Sequence, residues 1–398
     1  MNAPLAGLRV VELARILAAP WIGQTLADLG ADVIKVEAPE GDETRRWGPP
    51  FVQDASGASG DAAYFHCCNR GKRSLVADFS TPRGQDVVRR LARRSDVLIE
   101  NFKVGGLAKY GLDYPSLSAV NPRLIYCSVT GFGQTGPYAH RAGYDFMIQG
   151  MGGIMDLTGE PQGSPQKIGV AFADIFTGTY GIIGVLAALT QRERTGRGQH
   201  VDLSLLDSMV GVLANQALSY LTSGAVPHRM GNAHPNIVPY QAFRVRDGYV
   251  VIAVGSDAQF VRLCEFLGLA DLAVDPRFTT NAGRVTHRAA LIERLSTALA
   301  ERERAEVLSA MEAHGIPAGP INTLQDVFAD PQVIHRRMRV DLPVTGGGTV
   351  PSVRTPLRFS DAELTLHRAS PRLGEHTQEI LAELGFEDTD AARGGGDQ

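Results

Sequence analysis

Three consecutive segments near the start of the chain narrow its fold more than anything else in it. RVVEL (Arg9 to Leu13) is a short, largely apolar run. PWIGQTLADLG (Pro20 to Gly30) carries proline in its first turn and glycine at its end, and DVIKVE (Asp32 to Glu37) is again apolar and β-branched. Strand, helix and strand in this order make a βαβ unit, which requires parallel strands and a right-handed crossover. The alternation continues through SLVADF, TPRGQDVVRRLARRS, DVLIENF, a helical stretch near Leu107 to Val120, and LIYCSV. This pattern predicts a doubly wound, Rossmann-like α/β sheet.

At 398 residues the chain exceeds what one hydrophobic core usually organises, so two domains are expected. The texture changes at TSGAVPHRMGNAHPNIVPYQAF (Thr222 to Phe243), rich in Pro, Gly, Asn and His, as in a linker or a loop near a site. A hairpin follows in QAFRVRDGYVVIAV, with Asp247-Gly248 as its turn. From Ser256 to about Gly315 the pattern is mostly helical, closing on GIPAGPIN. These signals divide the chain into a large-domain part over 1–222, a smaller α+β domain over 223–325, and a last segment over 326–398. That segment combines hairpin-like β character, a helix in LGEHTQEILAELGF and a polar tail, DTDAARGGGDQ, expected to be disordered.

Composition excludes several classes of function. A net charge of -4 gives no reason to expect nucleic acid or an anionic membrane as partner. MNAPLAGLRVVELAR lacks the basic and apolar regions of a signal peptide, so the protein is read as cytoplasmic. The uncharged stretch Ile175 to Gln191 is short for a membrane span and reads as a core helix. Four cysteines without CxxC spacing imply neither zinc nor disulfides, adjacent Cys67 and Cys68 reading as small apolar residues. Ten scattered histidines imply no metal.

GFGQTG (Gly131 to Gly136) matches GxGxxG directly after a strand, which raises the possibility of a dinucleotide-binding dehydrogenase. The context argues against it. Pro137 and Gly143 follow, so no helix N-terminus is placed to receive a pyrophosphate, and the first βα turn, ARILAAP, has no glycine fingerprint.

Within KIGVAFADIFTGTYGIIGVLAALTQRERTG (167–196), Asp174 is the only acidic residue before Glu193. A carboxylate in apolar surroundings is costly unless paired, hydrogen-bonded or chemically employed. Asp174 reads either as the N-cap of the long apolar helix or as a carboxylate nucleophile at a helix start. In the second reading Gly169 and Gly178 leave room for a substrate. The two are compatible, since free backbone amides at a helix N-terminus would keep the carboxylate ionised.

Several ordered strings together point to one family: VIKVEAPEGDETRRWGPP, NRGKRSLVADFSTPRG, DVLIENFKVGGLAKYGL, TGFGQTGPYAHRAGYDFMIQGMGG, ADIFTGTYGIIGVLAAL, TGRGQHVDLSLLDS, GNAHPNIVPYQAF and GIPAGPIN. Over nearly its whole length the chain resembles the family III CoA-transferases, the group of formyl-CoA transferase and the carnitine CoA-transferases. The resemblance implies that Asp174 is the nucleophile and passes through an aspartyl anhydride and an aspartyl-CoA thioester. Covalent catalysis of this kind lets two acids exchange one thioester without losing its energy to hydrolysis. It also implies an interlocked homodimer whose large domain is completed by the C-terminal segment, with a small domain between. No tightly bound cofactor is implied, coenzyme A entering as the acyl-CoA substrate.

CoA phosphates call for cations, and Arg70, Lys72, Arg73, Lys103, Lys109 and Arg141 are candidates. By resemblance Ile16, Leu17, Ala18, Asn101, Phe102, Lys109 and Arg141 align with CoA-contacting positions, while Ala38 stands where formyl-CoA transferase has an arginine. The family's glycine-rich loop corresponds to VGSDAQF (254–260), with Gly255 its one glycine, and His234 and Tyr240 are candidates for the acyl pocket. A racemase-like relative would carry GHD where this chain has GYDF, and Tyr144 is a poor base at neutral pH. A non-catalytic CoA-binding protein would keep the cations without needing Asp174. GNAHPNIVPYQAF resembles the succinyl-CoA:dicarboxylate members more than formyl-CoA transferase, which favours succinyl-CoA as donor and a dicarboxylate as acceptor, with Arg229 a candidate for the far carboxylate.

Overall fold

Six parallel strands form the central sheet: β1 (Arg9–Glu12), β2 (Asp32–Glu37), β3 (Arg73–Val76), β4 (Val97–Glu100), β5 (Ile125–Thr130) and β6 (His200–Ser204). They pair in the order β3-β2-β1-β4-β5-β6. This is a computed structural model, and it describes residues 2–53, 57 and 59–386; the polar tail lies outside the described residues. The helices that matter below are α1 (Ala18–Asp28), α2 (Pro82–Arg93), α3 (Asp145–Met151), α4 (Phe172–Thr195), α5 (Leu205–Gly211) and α6 (Thr377–Glu383).

The strands are apolar on both faces because both faces are covered. Val10, Ile99, Ile125 and Cys127 join α1 and α4 in one core, whereas Val11, Leu98 and Tyr126 join α2 and α6 in the other. Neighbouring residues thus point to opposite sides, as the two-residue repeat of a strand demands. Strand order reverses between β1 and β4, and in doubly wound sheets that reversal opens a crevice at the carboxyl ends of the strands.

Details depart from the sequence reading. α1 begins two residues before Pro20, and the stretch from Leu107 to Val120 divides into a 3-10 turn (Ala108–Tyr110) and a helix (Tyr114–Val120). α4 is 24 residues long, so among the described residues it is long and apolar enough to cross a membrane rather than too short for one. It packs against α1 and β6 through glycines. A Cβ on Gly181 would lie 2.3 Å from the Ile22 side chain, so only glycine lets these helices approach so closely.

The chain divides into two compact units, 1–154 with 168–221 and 332–398, and 155–167 with 222–331. The second therefore extends a few residues past 325 and also takes the excursion 155–167, which the composition shift does not reveal. It holds an antiparallel sheet of Tyr240–Val245, Gly248–Ala253 and Ala318–Pro320. Helices Asp257–Leu267, Arg288–Ala300 and Arg304–Ala313 close its core around Phe243, Phe260, Leu295 and Met311. The C-terminal segment contributes a hairpin (Arg339–Pro343 and Thr349–Val353) and α6 to the first unit, burying Ile380 and Leu384.

Candidate active site

A cavity of about 470 Å³ opens at the strand-order reversal. The turn after β1 supplies Arg15, Ile16, Leu17 and Ala18, the loop after β4 supplies Asn101, Phe102, Lys103 and Lys109, and the end of β5 supplies Val129 to Gly131. Arg141, Tyr144 and Asp145 enter from the segment leading into α3, and Asp174 from the first turn of α4.

Asp174 is not the N-cap of its helix. α4 starts at Phe172, its N-cap is Ala171, and no side chain of that residue caps it. The capping carboxylate is Asp145, which accepts from the Ala173 amide (2.8 Å) and the Asp174 amide (3.4 Å) through Oδ1. Its Oδ2 accepts from Gln149 Nε2 (2.8 Å), and Gln149 in turn accepts from the Ile168 amide (2.9 Å). The helix amides expected to keep Asp174 ionised are therefore already spent on a second carboxylate.

Asp174 is left 9 % exposed, with no hydrogen-bond donor to its carboxyl among the described residues. Burial pushes this carboxyl up to about 7, and the Asp145 charge adds to the shift. Burial, and then the Asp174 charge, also hold the Tyr64 phenol well above its ordinary range. Asp145 is a cavity-wall carboxylate that the sequence did not single out. Its only signal was an acidic residue opening a helix in GYDF, and nothing local ties it to a helix 27 residues later.

Gly178 does not make room for substrate. A Cβ there would lie 2.8 Å from the Ala18 carbonyl oxygen, so its smallness seats α4 against the β1–α1 turn.

Three predicted phosphate cations belong to the core instead. Arg70 forks onto Asp28 (2.9 and 2.5 Å), Lys72 donates to Glu12, Asn69 and the Pro20 carbonyl (2.8–2.9 Å), and Arg73 bridges Asp32 to Glu379 and Glu383 (2.6–2.9 Å). All three are buried, and a buried cation without such partners would be prohibitively costly. Lys103, Lys109 and Arg141 stay exposed on the cavity wall, and no carboxylate pairs with them among the described residues. Arg141 lies over the Phe132 and Tyr138 rings (5.3 and 4.6 Å), which orients it without neutralising it.

Asn101 lines the cavity with its amide already committed: Oδ1 accepts from the Arg15 amide (2.9 Å) and Nδ2 donates to the Arg15 carbonyl (2.6 Å). A smaller cavity of about 210 Å³ shares Arg15, Phe79 and Phe102 with the main one and has Ala38 on its wall. Tyr144 lines the main cavity and is largely exposed.

His234, Tyr240 and Gly255 belong to the second unit. There the His234 amide donates to the Tyr240 carbonyl (2.9 Å) with the two rings 5.2 Å apart. The Gly255 amide is held by Gln259 Oε1 (2.8 Å). Arg229 of the same unit is paired with Asp156 at 2.8 Å, so its charge is already partnered. Among the described residues no group of three or more His, Cys, Asp or Glu could hold a metal ion.

The sequence profile described as CoA-transferase family III matches residues 5–377. The chain belongs to CoA-transferase family III. It is 56 % identical over 382 residues to "Succinate--glutarate CoA-transferase" of Agrobacterium fabrum, covering 96 % of each chain. It is 43 % identical to "Succinyl-CoA:glutarate CoA-transferase" of Mus musculus, covering 96 % of this chain and 86 % of that one. Among solved structures it is similar to a CAIB/BAIF family protein from Brucella suis, with a TM-score of 0.86 and 63 % identity over 96 % of this chain and all of that one. As a member of this family the chain is an acyl-CoA:carboxylate CoA-transferase, and CoA thioesters are its substrates.

Proposed function

We propose that this family III enzyme moves CoA from succinyl-CoA to glutarate, with Asp174 as covalent nucleophile. The observation that carries the chemistry is the buried Asp174 carboxyl facing the cavity, without a partner among the described residues and raised to about 7. A carboxylate without donors is a stronger nucleophile than one held by helix amides. The choice of acids rests on the names of the Agrobacterium and mouse relatives.

The steps conserve charge and need no base. A carboxylate oxygen of Asp174 attacks the donor thioester carbonyl, the C–S bond breaks, and a mixed anhydride forms as CoA leaves as thiolate. The thiolate attacks the aspartyl carbonyl, expelling succinate and leaving an aspartyl-CoA thioester. The acceptor carboxylate displaces the thiolate to give a second anhydride, which the thiolate opens at the acceptor carbonyl, returning Asp174 to its carboxylate. Lys103, Lys109 and Arg141 serve the CoA phosphates, and the smaller cavity beside Phe102 suits the adenine, with Ala38 giving up one cationic contact. Ile183, Val210 and Leu221 of the first unit are exposed, which supports a homodimer that covers them.

The test is intact-protein mass spectrometry of wild type and Asp174→Ala after incubation with succinyl-CoA, quenched in acid, with and without hydroxylamine. A hydroxylamine-sensitive CoA or acyl adduct on wild type alone is expected, and transfer to glutarate should vanish in Asp174→Ala while the variant stays folded. Appreciable transfer by the variant would sink the assignment.

A further inference from the structure

Ile16, on the cavity wall, has φ = +73°. A β-branched residue is strained in this left-handed region, where glycine would not be, and such strain persists only when surrounding groups over-determine the backbone. Here each neighbouring backbone group is taken by a side chain from a different part of the first unit. Lys35 Nζ donates to the Ala14 carbonyl (2.8 Å), Asn101 brackets the Arg15 amide and carbonyl, and Cys68 Sγ donates to the Ile16 carbonyl (3.4 Å). The Ile16 amide donates to the Asp42 carboxylate (3.3 Å).

Asp42 is fixed more firmly than any loop carboxylate would need to be for solubility alone. It is 2 % exposed and receives four donors: the Ile16 amide, the Thr44 amide (3.0 Å), the Thr44 hydroxyl (2.7 Å) and Lys35 Nζ (3.0 Å). Lys35, wholly buried, links the same carboxylate to Glu12 at the end of β1 (3.2 Å). The next link runs to the nucleophile. Ala18 packs against Gly178, one turn beyond Asp174 on α4, at a separation no larger residue would permit.

We propose that Asp42 is a positioning residue: through the Ile16 amide it holds the β1–α1 turn in its left-handed form, which presents residues 15–18 to CoA and seats the Asp174 helix. The proposal rests on reading the cavity as the CoA site. Its content goes beyond that reading: Asp42 is absent from the main cavity wall and borders only the smaller cavity, and the role assigned to it is to hold the turn.

The experiment is a double-mutant cycle read by calorimetric binding of CoA itself. Asp42→Ala is made in wild type and in the Ile16→Gly background, where the left-handed turn no longer needs to be held. In the wild-type background the affinity for CoA should fall about tenfold, the scale of one left-handed strain released. In the Ile16→Gly background the same substitution should cost about threefold or less, because glycine adopts φ = +73° unaided. A purely structural Asp42, supporting only the buried Lys35, would lose the same factor in both backgrounds, and that result would overturn the proposal. Where Asp42→Ala does not fold, Asp42→Asn offers one acceptor oxygen to four donors and should show the same asymmetry at smaller size. Failure of the functional reading is separable: CoA bound by wild type with no adduct on Asp174 would overturn the covalent chemistry, while the cycle still judges the turn.

Discussion

Lys72 and Asp174 are both charged side chains buried in the first unit, and the fold treats them in opposite ways. Lys72 is fully enclosed and meets Glu12, Asn69 and a carbonyl, so its charge is solvated by protein and has no chemistry left to do. Asp174 is nearly as buried, but its carboxyl receives no donor among the described residues, and a second carboxylate takes the amides that would have solvated it. Burial alone therefore does not mark a charge available for chemistry. What marks it is burial without a partner at the wall of a cavity.

The largest test of the contrast is Lys72→Met. Among the described residues Glu12 then keeps only Lys35 at 3.2 Å, and breaking a buried pair from one side costs about 3–5 kcal/mol. Urea unfolding should show that loss; a loss below about 1 kcal/mol would mean that the network is not structural.

Next is Asp174→Asn, which should do the reverse. A carboxyl with a folded value of about 7 against roughly 4 when unfolded stabilises the protein below pH 4, and that contribution is lost as pH rises through 7. Relative to wild type, Asp174→Asn should therefore gain stability with pH, on the order of 2–4 kcal/mol by pH 8 and near zero at pH 4. A pH-independent difference in unfolding free energy would show that Asp174 is not held at a raised value.

The smallest effect on stability belongs to the exposed cations. Arg141→Ala should change unfolding free energy by less than about 1 kcal/mol, yet raise the KM for succinyl-CoA several-fold, less so at high salt. A KM that does not move would remove Arg141 from the phosphate contacts.

The βαβ alternation of the first 130 residues was legible because strand and helix periodicities are local, whereas the strand order emerges only in the folded sheet. ADIFTG singled out Asp174, which the fold puts on the cavity wall and not at the N-cap. The run NRGKRS, by contrast, shows three cations with no sign of their use. Their partners Asp28, Glu12 and Asp32 lie 42, 60 and 41 residues away, on α1, β1 and β2, and the folding of these elements around β3 brings them together. The same holds for Gly178, which reads as open space for a substrate and is in fact the contact surface of two helices.

The family and the doubly wound sheet could be read from the sequence alone, because they are written in contiguous strings and in local periodicity. The tertiary structure alone decided which charges are neutralised, that Asp145 caps the helix carrying Asp174, and that Ile16 is held in a strained turn. The physical reason is that solvation of a buried charge, and the holding of a strained backbone, depend on groups distant in sequence whose positions only the folded chain defines.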